Sequence, residues 1–390
     1  MTAPKILIYS TAKSGTGVAQ FAEHIGGALA QTGWQIVIAQ PEEPNYAARM
    51  GSVAAVERVY FPNDPYEDIV GFGADRYAAA QLLIETRPDL IVISNGVHPI
   101  ASVAALQAGQ FLRVPYVTVD GLVAPSLYDW DENVLRMVSA LYQAAAAVIV
   151  KSQDNLKMLR HCLRLPETVG SVIVSGRPEI YFEPPNAEAR ARLRGEIGIP
   201  DDAILCLTAA KLEIVKGHTF QLQAMQKLKH RTSWAHLHFA WVGEGEERSA
   251  LQEEVERGGV SDRVHFIGHR TDIPDWMDAA DLCVLTSHSE GIPLSVMEAM
   301  AKGLPVVATN VGGTAEAMGD AGILIPRPAL TEECISGLTD ALDKLALDGE
   351  ARQTMGEASR ARAQQMFRLD RMVSDYRGLF ERVLAVAKPS

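Results

Sequence analysis

Short apolar segments rich in β-branched residues recur along the chain and alternate with longer segments of helical character. In the first part of the chain they lie at 5–9, 35–39, 90–94, 116–119 and 147–150. The alternation resumes at 203–207, 238–242, 264–267, 282–285, 306–308 and 323–325. Strands that alternate with helices at this spacing are typical of parallel βαβ units. The pattern therefore predicts an α/β protein with two parallel sheets.

A polar, proline-containing segment separates the two units. It reads SGRPEIYFEPPNAEAR at 175–190, and its three prolines interrupt any helix. Near the end of the chain, the segment 370–386 carries apolar residues at helical spacing, which predicts a helix with one buried face. These residues are Met372, Val373, Tyr376, Leu379, Phe380 and Val383. We therefore expect domains at 1–178 and 179–368, followed by a helix within 369–390.

Composition narrows the class of protein. The 390 residues are 47% hydrophobic and 22% charged, which is ordinary for a soluble α/β protein, and the apolar run at 6–9 is too short for a signal peptide. A cytoplasmic location is therefore expected. The net charge of -12 disfavours a general nucleic-acid binder, so an anionic ligand would need a few placed cations. The four cysteines lack metal-site spacing and are expected to be reduced core residues.

The loop after the first predicted strand contains two glycines. In SGTGVAQF, Gly15 and Gly17 precede a helix, and their missing side chains allow the backbone to approach a phosphate or an acceptor. A simple glycine turn explains the same residues. NAD binding is disfavoured, because Gln20 replaces the third glycine of the dinucleotide fingerprint and the second strand ends at Gln40, without an acidic residue.

The loops after three strands of the second unit carry candidate ligand contacts. Lys211 and Lys216 follow the first of these strands, and two cations before a helix are suited to a diphosphate, although lysines are more often simply solvated. Gly243 in WVGEGEERSAL, and His269 with Arg270 in VHFIGHRTDIPDWM, follow the next two strands. We expect these loops to form walls around a base and a ribose.

The stretch SEGIPLSVMEAMAKGLPVVAT places two glutamates around the start of a helix predicted at 293–302. Glu290 lies in the loop and Glu298 in the helix. Gly291 and Ile292 offer no side-chain cap, so the first N–H groups of the helix are suited to binding an anion. The two glutamates would then accept hydrogen bonds from sugar hydroxyls beside that anion. Alternatively, Glu290 favours the positive helix end and Glu298 lies on a solvated face. A glycosidase pair has little support.

Other residues at strand ends are less specific. Gly312 and Gly313 form either a tight turn or a backbone contact with the ligand, and His98 and Asp120 follow strands of the first unit. The modestly basic segment 151–164 predicts a helix with a solvated face. Its alternative is weak peripheral contact with anionic lipid, at the inner face of the membrane.

The stretch EGIPLSVMEAMAKGLPVVATNVGGTAE closely resembles the donor-site signature of retaining glycosyltransferases of family 4. That signature has a glutamate, seven residues and a second glutamate before a Gly-x-Pro-Val-Val-Ala strand and a Gly-Gly loop. The resemblance extends to the opening glycine loop, to WVGEGEERSAL and to the final FRLDRMVSDYRGLF. It implies the GT-B fold, with two Rossmann-like domains facing across a cleft. The first domain would lie on the acceptor side and the second on the donor side, and the last helix would pack back on the first.

The resemblance also implies roles for individual residues. By matching position, Glu290 holds the transferred sugar, Glu298 holds the ribose, and Lys211 with Lys216 holds the diphosphate, with Asp120 as a further catalytic residue. The remaining donor-binding residues are Gly291, Ile292, Pro293, Leu294, Gly15, Gly17, Gly243, His269 and Arg270, and the acceptor-side residues are Ser14 and His98. The implied substrates are a nucleotide-diphosphate sugar and a carbohydrate or lipid-linked acceptor, with no cofactor and no bound metal.

Three departures from the family pattern lie outside the stretch 290–313, so the assignment to the family is kept. The family usually has arginine at the position of Lys211 and histidine at that of Asp120, and its Asn-Gly-Val-Asp linker reads Ser-Gly-Arg-Pro at 175–178. The first hypothesis is a retaining transferase that adds a sugar to a hydroxyl of a glycan, glycolipid or small molecule. The second is a nucleotide-sugar epimerase or hydrolase on the same fold. The third, motivated by Asp120, is a donor-binding protein that has lost catalysis.

Overall fold

The computed structural model describes residues 3–11, 16–41, 56–61, 76–96 and 99–387. The chain divides into two compact units. The first comprises Met1–Gly176 and Leu369–Ser390, and the second comprises Arg177–Arg368. The division falls two residues before the boundary expected from the prolines.

The described residues form strands and helices in alternation. The strands are β1 (Lys5–Ser10), β2 (Gln35–Pro41), β3 (Val56–Phe61), β4 (Leu90–Asn95), β5 (Tyr116–Asp120), β6 (Ala147–Val150), β7 (Ser171–Val172), β8 (Ile204–Ala209), β9 (Leu237–Val242), β10 (Val264–Gly268), β11 (Leu282–Leu285), β12 (Val306–Thr309) and β13 (Ile323–Ile325). The helices are α1 (Gly17–Gln31), α2 (Arg76–Thr86), α3 (Val103–Leu112), α4 (Glu132–Ala144), α5 (Gln153–Leu163), α6 (Ala187–Glu196), α7 (His218–Leu228), α8 (Arg248–Arg257), α9 (Ile273–Ala279), α10 (Leu294–Ala301), α11 (Thr314–Met318), α12 (Thr331–Leu347), α13 (Gly349–Met366) and α14 (Leu369–Ala387).

The first unit is built on a parallel sheet with the strand order β3-β2-β1-β4-β5-β6-β7. Its central strands are buried because helices cover both faces of a parallel sheet. The last helix, α14, belongs to this unit. Its Tyr376 ring packs edge-on against Phe21 of α1 with centroids 4.9 Å apart, and Met372 and Phe380 lie in the same core cluster. The apolar spacing that predicted this helix thus marks the face that is buried.

The second unit is built on a parallel sheet with the order β10-β9-β8-β11-β12-β13. The chain runs outward from β8 to one edge and then returns to β11 on the other side of β8. Such a reversal opens a crevice at the carboxyl ends of the two strands, where ligands bind in folds of this kind. The two parallel sheets confirm the predicted α/β class.

Strand β3 was not predicted from the sequence. Its sequence, VERVYF, places two charged residues in the middle of an apolar run. Arg58 makes a bidentate ion pair with Glu23 of α1, with N···O distances of 2.6 and 2.7 Å, and both side chains are largely buried. The charge of Arg58 can be buried in this strand because its partner, Glu23, is supplied by helix α1. The two-residue strand β7 was also missed.

The predicted linker at 175–190 is wrong at its end. Asn186 caps α6 by accepting a hydrogen bond from the N–H of Ala189 at 3.1 Å, so the helix begins at Ala187. The polar composition that suggested a linker reflects the capping residue and the solvated face of this helix.

Within the basic segment 151–164, residues Gln153–Leu163 form α5. The prediction of a solvated face is wrong for Lys151, the first residue of the segment, which precedes the helix. Lys151 is only 5% exposed, and Leu156, Leu159 and Leu163 are buried along the helix. Over the ranges that the structure describes, no helix combines the length and the apolar character needed to span a membrane.

Candidate functional site

The loops that follow β8 and β11 meet where the strand order of the second unit reverses. The Thr286 hydroxyl donates to the carbonyl of Gly217 at 2.8 Å, and the N–H of His288 donates to the carbonyl of Val215 at 2.8 Å. These bonds join the loop that carries Lys216 to the loop that carries Glu290. The two loops therefore act as one platform at the carboxyl edge of the sheet.

Lys216 and Glu290 are in direct contact on this platform. The Nζ of Lys216 lies 2.7 Å from Oε1 of Glu290, and the hydroxyl of Ser287 donates to the same oxygen at 2.6 Å. The side chains are 23% and 11% exposed, so the pair is partly shielded from water. The structure thus joins two residues that the sequence predicted separately. Ser287 was missed, because a serine in a loop carries no distinctive signal.

Gly217 sets the position of Lys216. It adopts the left-handed conformation with φ 64°, and a Cβ atom at this position would lie 2.1 Å from the carbonyl oxygen of Thr286. Only glycine allows so close an approach of the two backbones. The glycine after Lys216 therefore holds the two loops together.

The Gly-Gly loop after β12 supports Glu290. Gly312 has φ 50°, and a Cβ atom there would lie 1.7 Å from the carbonyl oxygen of Glu290. The N–H of Gly313 donates to the carbonyl of Gly291 at 2.9 Å. The sequence left open whether these glycines form a turn or contact a ligand. In the structure they contact the backbone that positions Glu290.

Helix α10 starts directly after this loop and has no side-chain cap. Pro293 occupies the N-cap position, and the helix begins at Leu294. The first N–H groups of a helix have no partner within it and carry partial positive charge. Ile292 is buried beside them. The uncapped helix start expected from the sequence is confirmed. It follows directly after the loop that contains Glu290.

Glu298 lies one turn into α10 on its buried side. Its Oε1 is 3.3 Å from Nη1 of Arg177, with side-chain exposures of 10% and 3%, and Tyr181 hydrogen-bonds to the same carboxylate. Burial raises the pKa of Glu298, and the guanidinium and the phenol oppose that rise. A solvated face for Glu298 is therefore wrong. Tyr181 was missed from the sequence, and Arg177 was noticed only as a departure from the family pattern.

The other predicted donor-side residues lie on neighbouring loops. The Nζ of Lys211 is 3.3 Å from Glu213, and the lysine side chain is 61% exposed. Arg270 makes a bidentate pair with Asp272 at 2.7 and 2.8 Å, and His269 is exposed. At Gly243 a Cβ atom would lie 2.0 Å from the carbonyl oxygen of Ala210, so this glycine permits close packing of backbone. The roles of these residues in donor binding stay predictions.

In the first unit, Asp120 ends β5 in a buried polar cluster. It is 1% exposed, and its Oδ1 accepts hydrogen bonds from Asn95 at 3.0 Å and from the Tyr142 hydroxyl at 2.8 Å. Burial raises the pKa of Asp120 to about 6, although these donors and Lys151 act in the opposite direction. A carboxyl group in this range can exchange a proton near neutrality.

Lys151, just after β6, completes this cluster. Its Nζ donates to the Tyr376 hydroxyl at 2.9 Å and lies 4.3 Å from the centroid of the Phe21 ring. Burial lowers the pKa of Lys151 to about 7, with Asp120 opposing the shift. The signal that could have identified Lys151 is its place at a strand end, which the helical interpretation of 151–164 obscured.

Three predicted residues of the first unit, Ser14, Gly15 and His98, lie outside the described residues. Gly17 is the first residue of α1, where the Thr16 hydroxyl accepts a hydrogen bond from the N–H of Ala19 at 3.2 Å. Among the residues that the structure describes, no group of three or more His, Cys, Asp or Glu side chains is arranged to hold a metal ion.

Both parts of the chain match known protein families. Residues 203–344 match the model described as glycosyl transferases group 1, and residues 15–176 match the model described as glycosyltransferase family 4. Together the two matched ranges cover more than half of the chain.

Individual proteins share parts of the sequence. The N-acetyl-alpha-D-glucosaminyl L-malate synthase of Bacillus anthracis is 29% identical over 207 residues, which is 53% of this chain and 51% of that protein. The lipopolysaccharide core biosynthesis mannosyltransferase LpsB of Rhizobium meliloti is 38% identical over 125 residues, 27% of this chain and 36% of that protein. The chain thus aligns with about half or less of the length of these relatives.

Solved structures share the fold over almost the whole chain. Anabaena HepE in complex with UDP has a TM-score of 0.81 at 20% identity, covering 97% of this chain and 100% of that one. Sucrose-phosphate synthase from Thermosynechococcus elongatus has a TM-score of 0.82 at 21% identity, covering 98% and 100%. These likenesses confirm the GT-B class that the resemblance implied.

Proposed function

Because the chain belongs to the glycosyltransferases of group 1 and family 4, we propose that it transfers a sugar from a nucleotide-diphosphate sugar to an acceptor hydroxyl, with retention at the anomeric carbon. The acceptor is a carbohydrate, a lipid-linked glycan or a small molecule. The observation that carries the proposal is the contact between Lys216 and Glu290 beside the uncapped start of α10. The UDP complex of HepE and the mannosyltransferase relative support a nucleotide-sugar donor.

The phosphate side of the site is supplied by Lys216 and the start of α10. When the bond between the anomeric carbon and the diphosphate oxygen breaks, its electron pair stays on the phosphate, and negative charge grows there. An ammonium group and free helix N–H groups stabilise that charge in the transition state. Lys216 is held ready by Glu290, so its side chain needs no large rearrangement to meet the phosphate.

The sugar side is supplied by Glu290. Its carboxylate offers roughly four acceptor positions, and the contacts of Lys216 and Ser287 both fall on Oε1. The remaining capacity suits hydroxyl groups of the transferred sugar. Direct repulsion between this carboxylate and the phosphate is reduced because Lys216 contacts the carboxylate.

The transfer step needs no covalent enzyme intermediate in this proposal. The acceptor oxygen attacks the anomeric carbon on the face that the phosphate leaves, and the departing phosphate oxygen accepts the proton of the acceptor hydroxyl. We also propose Asp120, at the end of β5, as a catalytic group of the first unit that hydrogen-bonds to the reacting sugar, the polar contact that the resemblance implies at its position. Since a lysine neutralises the phosphate, activity is expected to persist in EDTA.

The test is to incubate the purified protein with UDP-, GDP- and ADP-sugars and to follow free nucleotide with and without mono- and disaccharide acceptors. Nucleotide release that requires an acceptor supports the proposal, and NMR of the product gives its anomeric configuration. Release without an acceptor, or formation of an epimeric sugar, indicates a hydrolase or an epimerase. Binding of nucleotide without turnover indicates a protein that has lost catalysis.

A further inference from the structure

The carboxylate of Glu298 is held from two directions by a segment at the start of the second unit. Arg177 is anchored there, because its N–H donates to the carbonyl of Phe367 at 2.6 Å, and its guanidinium lies 3.3 Å from Glu298. Tyr181 ends the short helical turn Glu179–Tyr181 and hydrogen-bonds to the same carboxylate. Both contacts reach Glu298 from a segment distant in sequence.

A purely structural explanation of this cluster is weak. The neighbours of Glu298 on α10, Val296, Met297, Ala299 and Met300, are buried and apolar. An apolar side chain at position 298 would pack there without the desolvation penalty of a charged pair, which often outweighs the attraction between the partners. A carboxylate retained at such a position, with 10% of its side chain still exposed, is suited to an additional ligand.

The contacts also leave acceptor capacity on the carboxylate. A carboxylate offers roughly four acceptor positions. One guanidinium contact and one phenol hydrogen bond restrict its rotation without using all of them. An oriented carboxylate with part of its side chain exposed is a good acceptor for a pair of neighbouring hydroxyl groups.

We propose that Arg177 and Tyr181 are positioning residues that hold Glu298 in the orientation in which it accepts hydrogen bonds from the ribose hydroxyls of the donor. This inference rests on the proposed function, a transferase with a nucleotide-sugar donor, and adds to it the ribose contact that the family resemblance implies for Glu298. It gives the site a means of distinguishing ribonucleotide from deoxyribonucleotide donors, and it assigns a task to two residues outside the loops at the strand ends.

The test is to measure affinities of the full-length protein for the nucleoside diphosphate that it binds among UDP, GDP and ADP, and for the 2′-deoxy and 3′-deoxy forms of that compound. Wild type is expected to prefer the ribose form over at least one deoxy form by about tenfold or more, the range of one hydrogen bond to a charged group. Arg177→Met is expected to reduce this preference at least fivefold, and Tyr181→Phe at least twofold. Arg177→Lys keeps the positive charge and should therefore retain part of the preference for the ribose form.

A matched control is available on the same helix. Lys302 at the end of α10 forms a buried ion pair with Asp278 at 2.9 Å, with exposures of 3% and 2%. Lys302→Met also breaks a buried pair, so it should lower stability while leaving the ribose preference unchanged. If Arg177→Met does not fold, Tyr181→Phe decides the question, because it removes only one oxygen atom.

The outcomes separate this inference from the proposed function. A wild-type protein that binds none of the three diphosphates contradicts the proposed function and, with it, the inference. A wild-type protein that binds ribose and both deoxy forms equally overturns the inference alone. The inference is also overturned if wild type prefers the ribose form and the Arg177 and Tyr181 variants show the same preference.

Discussion

Replacing Gly312 by alanine tests whether the Gly-Gly loop positions Glu290. The added Cβ would lie 1.7 Å from the carbonyl oxygen of Glu290, whereas real Cβ contacts are not closer than 3.0 Å. The two loops must therefore separate by at least 1.3 Å. In addition, the left-handed conformation at φ 50° costs an alanine about 1–2 kcal/mol.

A displacement of this size affects catalysis more than folding. Misplacement of a reacting group by about 1 Å can lower a rate about 100-fold. We expect Gly312→Ala to reduce kcat/KM for sugar transfer by about two orders of magnitude. The assay is steady-state nucleotide release with the donor that the panel of UDP-, GDP- and ADP-sugars identifies, together with circular dichroism and thermal melting to show that the fold is retained.

Gly198 provides the matched control. It has φ 66° in the same unit, but no atom lies within 4 Å of a Cβ built there. Gly198→Ala therefore introduces the same backbone strain without the collision, and it should lower stability by about 1–2 kcal/mol with activity within about twofold of wild type. Equal activities of the two alanine variants would refute the role assigned to the loop.

Three further predictions concern charged groups. Glu290→Gln should lower kcat more than about tenfold with an unchanged circular dichroism spectrum, because a charge-assisted contact with the sugar is lost; a wild-type rate would remove Glu290 from the site. Lys216→Met should weaken nucleoside diphosphate binding by about tenfold or more in titration calorimetry; an unchanged affinity would place the lysine outside the phosphate site. Because burial lowers the pKa of Lys151 from 10.5 to about 7, the unfolded chain binds one more proton than the folded protein between these pH values. The free energy of unfolding of wild type should therefore rise with pH by up to about 1.4 kcal/mol per pH unit relative to that of Lys151→Met. Urea unfolding from pH 7.5 to 9.5 measures this difference. If the free energies of unfolding of the two proteins change with pH in parallel, Lys151 is not neutral in the folded protein.

Most strands could be predicted from the sequence, because a strand buried on both faces of a parallel sheet appears as a continuous apolar run. Helix α10 was predicted within one residue at each end, since Pro293 and Gly303 are local signals. Strand β3 was missed because the charge of Arg58 is matched by Glu23, a residue of another element. Local patterns identify elements, whereas compensation of a buried charge depends on tertiary contacts.

The residues of the candidate site were easier to predict than their pairing. Glu290 and Lys216 stood out because each follows a strand, but their contact depends on β8 lying next to β11, which the order of strands along the chain does not specify. The contact of Arg177 with Glu298 is less predictable still. Arg177 lies outside the predicted strands and helices, and its partner is on a helix far along the sequence.

The charged residues of the second unit's site are paired with one another, and this constrains how they work. Glu290 is paired with Lys216, and Glu298 with Arg177. Each pair lowers the penalty for holding a charge in a partly dry site and fixes the orientation of a carboxylate. A donor would then exchange contacts within existing pairs instead of recruiting loose side chains. Removing one member leaves the other charge unmatched, so the effects of substituting Lys216 and Glu290 should not add, and neither effect measures one residue alone.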